Sequence, residues 1–387
     1  MQGLDGRIGG FLDGLAASGR RRRLRAVERL PGGRVRIDGR ELVDFSSNDY
    51  LGLAHHPLLI ARACEWAAAY GAGSGASRLV TGHHPALQRL EERIAAAKGS
   101  ESALVFASGW QCNASALPAL LDPELWETAP VVLTDRLNHA SLHMGCKAAG
   151  TRQHRFRHND LGHLAQLLKR HAGRPAVIVT ESVFSMDGDM PDVAALADLA
   201  QAHDALLYLD EAHATGVLGV NGFGLSVGLP VDLAMGTFSK AMGSFGAYIA
   251  CSALMRDYLV NRASGLVYAT ALPPATLGAI DAAMELVPCL DAERARLAAH
   301  SARLRARLGE AGLDTGGSAT QIVPVILGDE RRTLDAARAL EAKGLLGIAI
   351  RPPTVPPGTS RIRFALSAAH SDSDVERLAD AVIEVAR

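Results

Sequence analysis

Asp210 and Lys240 are the residues whose types and placing suggest the most demanding chemistry. An apolar run, Ala205-Leu206-Leu207-Tyr208-Leu209, delivers Asp210 at its end, and Lys240 follows in Thr237-Phe238-Ser239-Lys240-Ala241-Met242-Gly243. A lysine among small and apolar neighbours can be desolvated into a nucleophilic amine that forms a Schiff base. A carboxylate at a buried strand end can keep a pyridine nitrogen protonated. Together they predict a pyridoxal 5'-phosphate site.

Lysine is scarce, so each one can be weighed: the set is Lys98, Lys147, Lys169, Lys240 and Lys343. Lys98 and Lys343 each precede a glycine at the end of a helical pattern, where a cation complements the helix dipole. Lys169 reads as a solvated helix edge and Lys147 as an ordinary helix position. Only Lys240 has the surroundings of a nucleophile.

Ligands of open α/β sheets sit beyond the carboxyl ends of the strands, so the residues just after each apolar run form the candidate set. Ser108-Gly109-Trp110-Gln111 is a glycine turn opening a helix whose free amides can hold a phosphate. Next come Asn138-His139-Ala140-Ser141 and Glu181-Ser182-Val183-Phe184-Ser185-Met186-Asp187-Gly188-Asp189. Of the 14 histidines, His139 and His213 stand apart by position. The first could stack on a pyridine ring; the second, three residues past Asp210, could donate to the ring's phenolic oxygen.

Two motifs mislead. Asp210-Glu211-Ala212-His213 spells a helicase signature, but no G-x-x-x-x-G-K-[ST] phosphate loop accompanies it. Gly71-Ala72-Gly73-Ser74-Gly75-Ala76 fits a relaxed dinucleotide fingerprint, yet helical sequence precedes it where a strand is required.

The elements that must position these groups follow from pattern. Short apolar runs alternate with alanine-rich amphipathic segments, the grammar of an α/β fold. Strands are predicted at 103–106, 131–134, 176–180, 205–209 and 247–251, and helices at 86–97, 112–121, 161–171 and 193–203. The expected core is a mainly parallel central sheet with helices on both faces. The expected division is an N-terminal helix and short hairpin over 1–50, a large cofactor-binding α/β domain over 51–290, and a smaller α+β domain over 291–387.

Composition narrows the function classes. The 387 residues are 48% apolar and 21% charged, and no apolar run is long enough for a membrane span. A net charge of -1 gives no global attraction to nucleic acid, and the run Arg20-Arg21-Arg22-Arg23 is too local to change that. The 5 cysteines are scattered without zinc spacing, so no metal site is expected and the thiols read as reduced. With no signal segment at the N-terminus, a cytoplasmic protein is expected.

With these residues in hand, the chain resembles the α-oxoamine synthases, fold-type I pyridoxal phosphate enzymes that condense an amino acid with an acyl thioester and release carbon dioxide. The shared segments are Ser47-Asn48-Asp49-Tyr50-Leu51-Gly52, the loop at 71–78, Asn138-His139-Ala140-Ser141, Phe184 to Asp189, Asp210 to Gly216, and the Lys240 loop. By this resemblance Lys240 carries the cofactor, Asp210 binds its ring nitrogen, and His139 stacks on the ring. His213 and Ser185 would contact the phenolic oxygen side, and Gly109, Trp110 and Thr237 the phosphate. Thr270 would reach the phosphate of a partner subunit in a homodimer with shared sites.

The resemblance further implies Arg351 for the amino-acid carboxylate, with Asn48 and Thr354 lining the substrate pocket. One arginine of the N-terminal run, with Arg22 the nominee among four, would contact the acyl substrate. The tail Ile350-Arg351-Pro352-Pro353-Thr354-Val355-Pro356 is similar to that of the biotin-pathway member, which implies L-alanine and pimeloyl-coenzyme A or pimeloyl-acyl carrier protein as substrates. Ser77 stands where the aminolevulinate synthases have threonine, leaving room for alanine's methyl group. A glycine-using sibling enzyme and a non-catalytic cofactor-binding regulator remain open alternatives, as do the roles of His83 and His84.

Overall fold

A computed structural model of the chain describes residues 3–386. It divides into two compact units: Met1–Ser47, Met186–Gly188 and Arg296–Arg387 form the first, Asn48–Ser185 and Asp189–Ala295 the second. The N-terminal stretch thus groups with the C-terminal residues.

The first unit opens with helix α1 (Leu4–Ala17) and strands β1 (Glu28–Leu30), β2 (Arg34–Ile37) and β3 (Arg40–Asp44). The β2–β3 hairpin turns through Asp38 and Gly39, both at positive φ, and pairs Val35 with Leu42. Val35 and Ile37 alternate with arginines, which satisfies the period of two of a half-buried strand, and they form a small core with Leu42 and Leu346.

The second unit carries the large sheet, built from β4 (Ser102–Phe106), β5 (Val131–Asp135), β6 (Gln153–Phe156), β7 (Ala176–Glu181), β8 (Ala205–Asp210), β9 (Leu233–Thr237) and β10 (Ala247–Cys251). Its order is β4-β10-β9-β8-β7-β5-β6. Both neighbours of β10 pair with it antiparallel, and the other pairings are parallel. The sheet is therefore mainly parallel with one reversed strand. The connecting helices include α2 (Pro57–Tyr70), α3 (Pro85–Lys98), α4 (Gly109–Leu120), α5 (Ala140–Ala148), α6 (Leu161–Arg170) and α7 (Val193–Ala202).

Alternation along buried strands sends side chains into two cores. Val177 and Val179 pack with Phe106, Tyr208 and Met235 beneath Ala116, Leu120, Leu142 and Cys146 of α4 and α5. Ile178, Leu207 and Leu209 face the other way, against Leu164 and Leu168 of α6 and Leu196 and Ala200 of α7. Both faces are covered, so the strands read as continuous apolar runs.

The remainder of the first unit holds a three-stranded sheet of Ile322–Gly328, Ser360–Ala365 and Ile348–Ile350, with helices at Glu330–Ala342 and Asp372–Ala386. Leu345–Leu346 extends the N-terminal sheet by pairing parallel with β3.

Candidate active site

The sheet holds the Lys240 loop at both ends. Thr237 closes β9 and the chain returns directly into β10, where the Thr237 hydroxyl donates to the Gly246 carbonyl at 2.8 Å. The Phe238 amide donates to the same carbonyl at 2.9 Å, and the Ser244 amide to the Phe238 carbonyl at 2.9 Å. Gly243 takes φ 64°, and a Cβ there would stand 2.6 Å from the Leu53 carbonyl carbon, so only glycine fits. Lys240 is thereby presented from a backbone with little freedom.

Asp210 ends β8 and is 4% exposed. Its Oδ2 accepts from Asn113 Nδ2 of α4 at 2.8 Å, and its Oδ1 from the Ala212 amide at 2.9 Å. The Asn113 amide is fixed in turn by the Tyr208 hydroxyl, which donates to its Oδ1 at 2.7 Å. Glu181, at the end of β7, pairs in register with Asp210 and accepts from the His139 amide. Desolvation first, and then Asp210, pushes the Glu181 carboxyl well above the usual carboxylate range.

His139 caps α5. Its Nδ1 lies 2.7 Å from Ser141 Oγ and accepts from the Ser141 amide at 3.3 Å, and its ring meets Trp110 edge-on with centroids 6.1 Å apart. Desolvation holds the imidazole below its ordinary pKa; Asp210 opposes that shift and Lys240 adds to it. His213 is buried, with Nδ1 2.6 Å from the Tyr50 hydroxyl, which also reaches Asn48 Oδ1 at 3.1 Å. Ser108 caps α4 by accepting from the Gln111 amide at 3.2 Å, leaving first-turn amides for an anion beside Thr237 and Ser239.

Gly109, Trp110, His139, Asp210, His213, Thr237 and Lys240 line one cavity of about 230 Å³. Asn113, Ser141 and Glu181 line it too; Ser141 and Glu181 stand in the segments read after the strands, and only Asn113, inside α4, escaped the sequence reading. Asn48 connects to the cavity through Tyr50 and His213. Ser185 follows β7 in a turn closed by the Phe184 amide on the Asp189 carbonyl, and it is not part of the lining. Thr270 and Ser77 bridge one another instead, and Thr270 borders a separate small void with Arg78 and Gln111. A larger cleft of about 1180 Å³ lies at the opposite strand ends, against Ala205, Pro230 and Asp232, away from every candidate residue.

In the first unit, Arg22 donates to the Thr354 hydroxyl at 3.0 Å, and Arg351 donates to the Gly19 carbonyl. Desolvation lowers the Arg351 pKa; Glu330 opposes this and the charge of Arg22 adds to it. Arg20 is taken up by Glu330 in a bidentate pair. In the second unit Lys98 ends α3 before Gly99 at φ 66°, as its pattern predicts, and is in addition a buried group that donates to Glu211, to the Phe223 carbonyl at 2.7 Å and to Ser226 Oγ at 2.7 Å. His84 caps α3 by accepting from the Ala86 amide at 3.1 Å, and His83 lies 3.2 Å from Arg78.

The cavity fits pyridoxal phosphate. It offers an amine, a doubly anchored carboxylate, an imidazole face and a helix N-terminus, the donor set that the cofactor's carbonyl, ring nitrogen, ring face and phosphate need. The fold and the site define a fold-type I pyridoxal phosphate enzyme, and the chain belongs to the family whose model, aminotransferase class I and II, matches residues 40–382.

Among curated relatives, the 8-amino-7-oxononanoate synthase of Gluconacetobacter diazotrophicus is 60% identical over 358 residues, covering 91% of this chain and 90% of that one. A Paramagnetospirillum magneticum protein that bears the same name provisionally is 66% identical over 386 residues, covering 99% and 98%. Among solved structures, the Sphingomonas wittichii serine palmitoyltransferase superposes with a TM-score of 0.90 at 27% identity over 99% of this chain and 96% of that one. The chain is thus a pyridoxal phosphate-dependent acyltransferase of the 8-amino-7-oxononanoate synthase group.

Proposed function

We propose that the chain condenses L-alanine with a pimeloyl thioester, carried by coenzyme A or acyl carrier protein, to give 8-amino-7-oxononanoate, carbon dioxide and free thiol for biotin synthesis. The convergence of Lys240, Asp210 and His139 on one cavity carries this reading, supported by the relatives' name.

When bound, the cofactor supplies an electron sink for a carbanion at the amino acid's Cα. Asp210, with one oxygen on Asn113 and the other on Ala212, holds a proton at the pyridine nitrogen. Lys240 would hold the cofactor through its amine and, with an amino acid in that place, would take the Cα proton and later return one. His139 presents its ring face, and its second nitrogen donates to the thioester carbonyl oxygen as charge develops there. A carbon–carbon bond forms as the carbon–sulfur bond breaks, and the carboxylate then leaves as carbon dioxide.

Gly109, Trp110 and Thr237 hold the phosphate, and Ser185 and His213 the phenolic oxygen. Arg351 takes the amino-acid carboxylate through its planar fork, Arg22 and Thr354 the acyl donor, and Asn48 and Ser77 the substrate pocket. Thr270 acts across a homodimer interface. The test is the visible spectrum of the holoenzyme titrated with L-alanine or glycine, followed by pimeloyl-coenzyme A and mass spectrometry. A band that responds to alanine, with 8-amino-7-oxononanoate formed, is expected. A response to glycine alone moves the chain to a sibling reaction, and a protein without a cofactor band overturns the role of Lys240.

A further inference from the structure

The polar groups behind His139 form a chain with one consistent direction. Asp210 only accepts hydrogen bonds, so the Asn113 amide must turn its Nδ2 toward it, leaving Oδ1 for the Tyr208 hydroxyl at 2.7 Å. The second Nδ2 hydrogen points at Ser141 Oγ, 2.9 Å away. Ser141 therefore accepts from Asn113, and its own hydrogen is left for His139 Nδ1 at 2.7 Å. The Ser141 amide approaches the same nitrogen at 3.3 Å, which also requires an acceptor there. Tyr208, Asn113 and Ser141 are all 1% exposed or less, so water does not compete for these bonds.

We propose that Tyr208, Asn113 and Ser141 are positioning residues forming a relay that fixes His139 as the tautomer with its proton on Nε2 and ties that imidazole to Asp210. This rests on the reading that His139 meets the cofactor and the thioester. Its consequence is that the nitrogen left for the substrate is a hydrogen-bond donor before any substrate arrives. One amide thus serves both sides of the site, anchoring the carboxylate that holds the ring nitrogen's proton and setting the donor for the carbonyl.

The test is ¹⁵N nuclear magnetic resonance of the holoenzyme labelled at histidine, with the His139 signals assigned by their loss in His139→Asn. The wild-type protein is expected to show unprotonated Nδ1 and protonated Nε2 without substrate. Ser141→Ala is expected to mix the tautomers and to lower kcat/KM about tenfold while the cofactor absorbance stays, since it loosens orientation only. Tyr208→Phe keeps the ring and is expected to shift the populations the same way; it decides the matter if Ser141→Ala does not fold. Wild-type His139 protonated on Nδ1 overturns the relay, as does an unchanged Nε2–H population in the folded variants. The tautomer is read before any substrate is added, so failure of the condensation with the expected tautomer counts against the proposed reaction and leaves the relay standing.

Discussion

Lys240 is presented by a loop that the sheet grips at Thr237 and Gly246, so replacing its side chain leaves the backbone bonds in place. Lys240→Ala is expected to fold with wild-type circular dichroism, to lose the cofactor's characteristic absorbance, and to turn over at least about a thousandfold more slowly. Asp210→Asn keeps the shape but cannot stabilise a protonated ring nitrogen; cofactor binding should persist while exchange of the Cα proton of L-alanine, followed in deuterium oxide, nearly stops. Because desolvation lowers the His139 pKa, the imidazole is neutral at neutral pH, and its protonation should reduce kcat/KM only below its ordinary value near ~6.5. An acid limb absent from His139→Asn, in profiles of residual activity, checks that assignment. Lys240, Asp210 and His139 were legible because each follows an apolar run in a chain with few lysines. Asn113 and Tyr208 were not, since a lone asparagine in a helix or a tyrosine in a strand looks like any core residue until topology sets them side by side.

At the scale of elements, two charge clusters, a half-buried one around His158 and a fully buried one around Lys98, hold the loops that carry the site. His158 lies 3.0 Å from Asp135 at the end of β5 and 2.7 Å from Asp189 beyond the Ser185 turn. Burial alone would lower its pKa, but hydrogen bonds to both carboxylates outweigh that and raise it to about 10. A raised value in the folded state means stability that is complete below the unfolded value near ~6.5 and is lost as pH rises through about 10. His158→Ala should cost about 3 kcal/mol in urea unfolding at pH 7, and the alkaline decline should vanish with it. Lys98→Met should cost a similar ~3 kcal/mol, because Glu211 is left buried without its cation. The burial of Lys98 was not legible beside its helix-end position, because Glu211 is far away in sequence and no local pattern announces the pairing. Five strands of the large sheet were readable as apolar runs. β9, Leu233-Ala234-Met235-Gly236-Thr237, was missed for its lack of β-branched residues before Thr237, and β6, Gln153-His154-Arg155-Phe156, for the polarity of an edge strand.

Over the whole molecule, the second unit exposes Val80 at 73%, Trp110 at 50% and Tyr268 at 86%, an apolar display that fits the expected homodimer. Light scattering should give twice the chain's mass, and Val80→Asp should shift it toward a single chain and reduce turnover if Thr270 reaches the partner's phosphate as proposed. Among the described residues, no helix is long and apolar enough to cross a membrane. The order of the large sheet bears also on how the chain is made. β4 pairs only with β10, and Phe106 waits for Ala247. On the ribosome, β4 therefore emerges before the rest of its sheet and remains an unzipped edge while β5 to β9 are translated, with Lys240 still to arrive or newly exposed. The cofactor pocket cannot be completed early, and its closure coincides with the zipping of the last strand against the first.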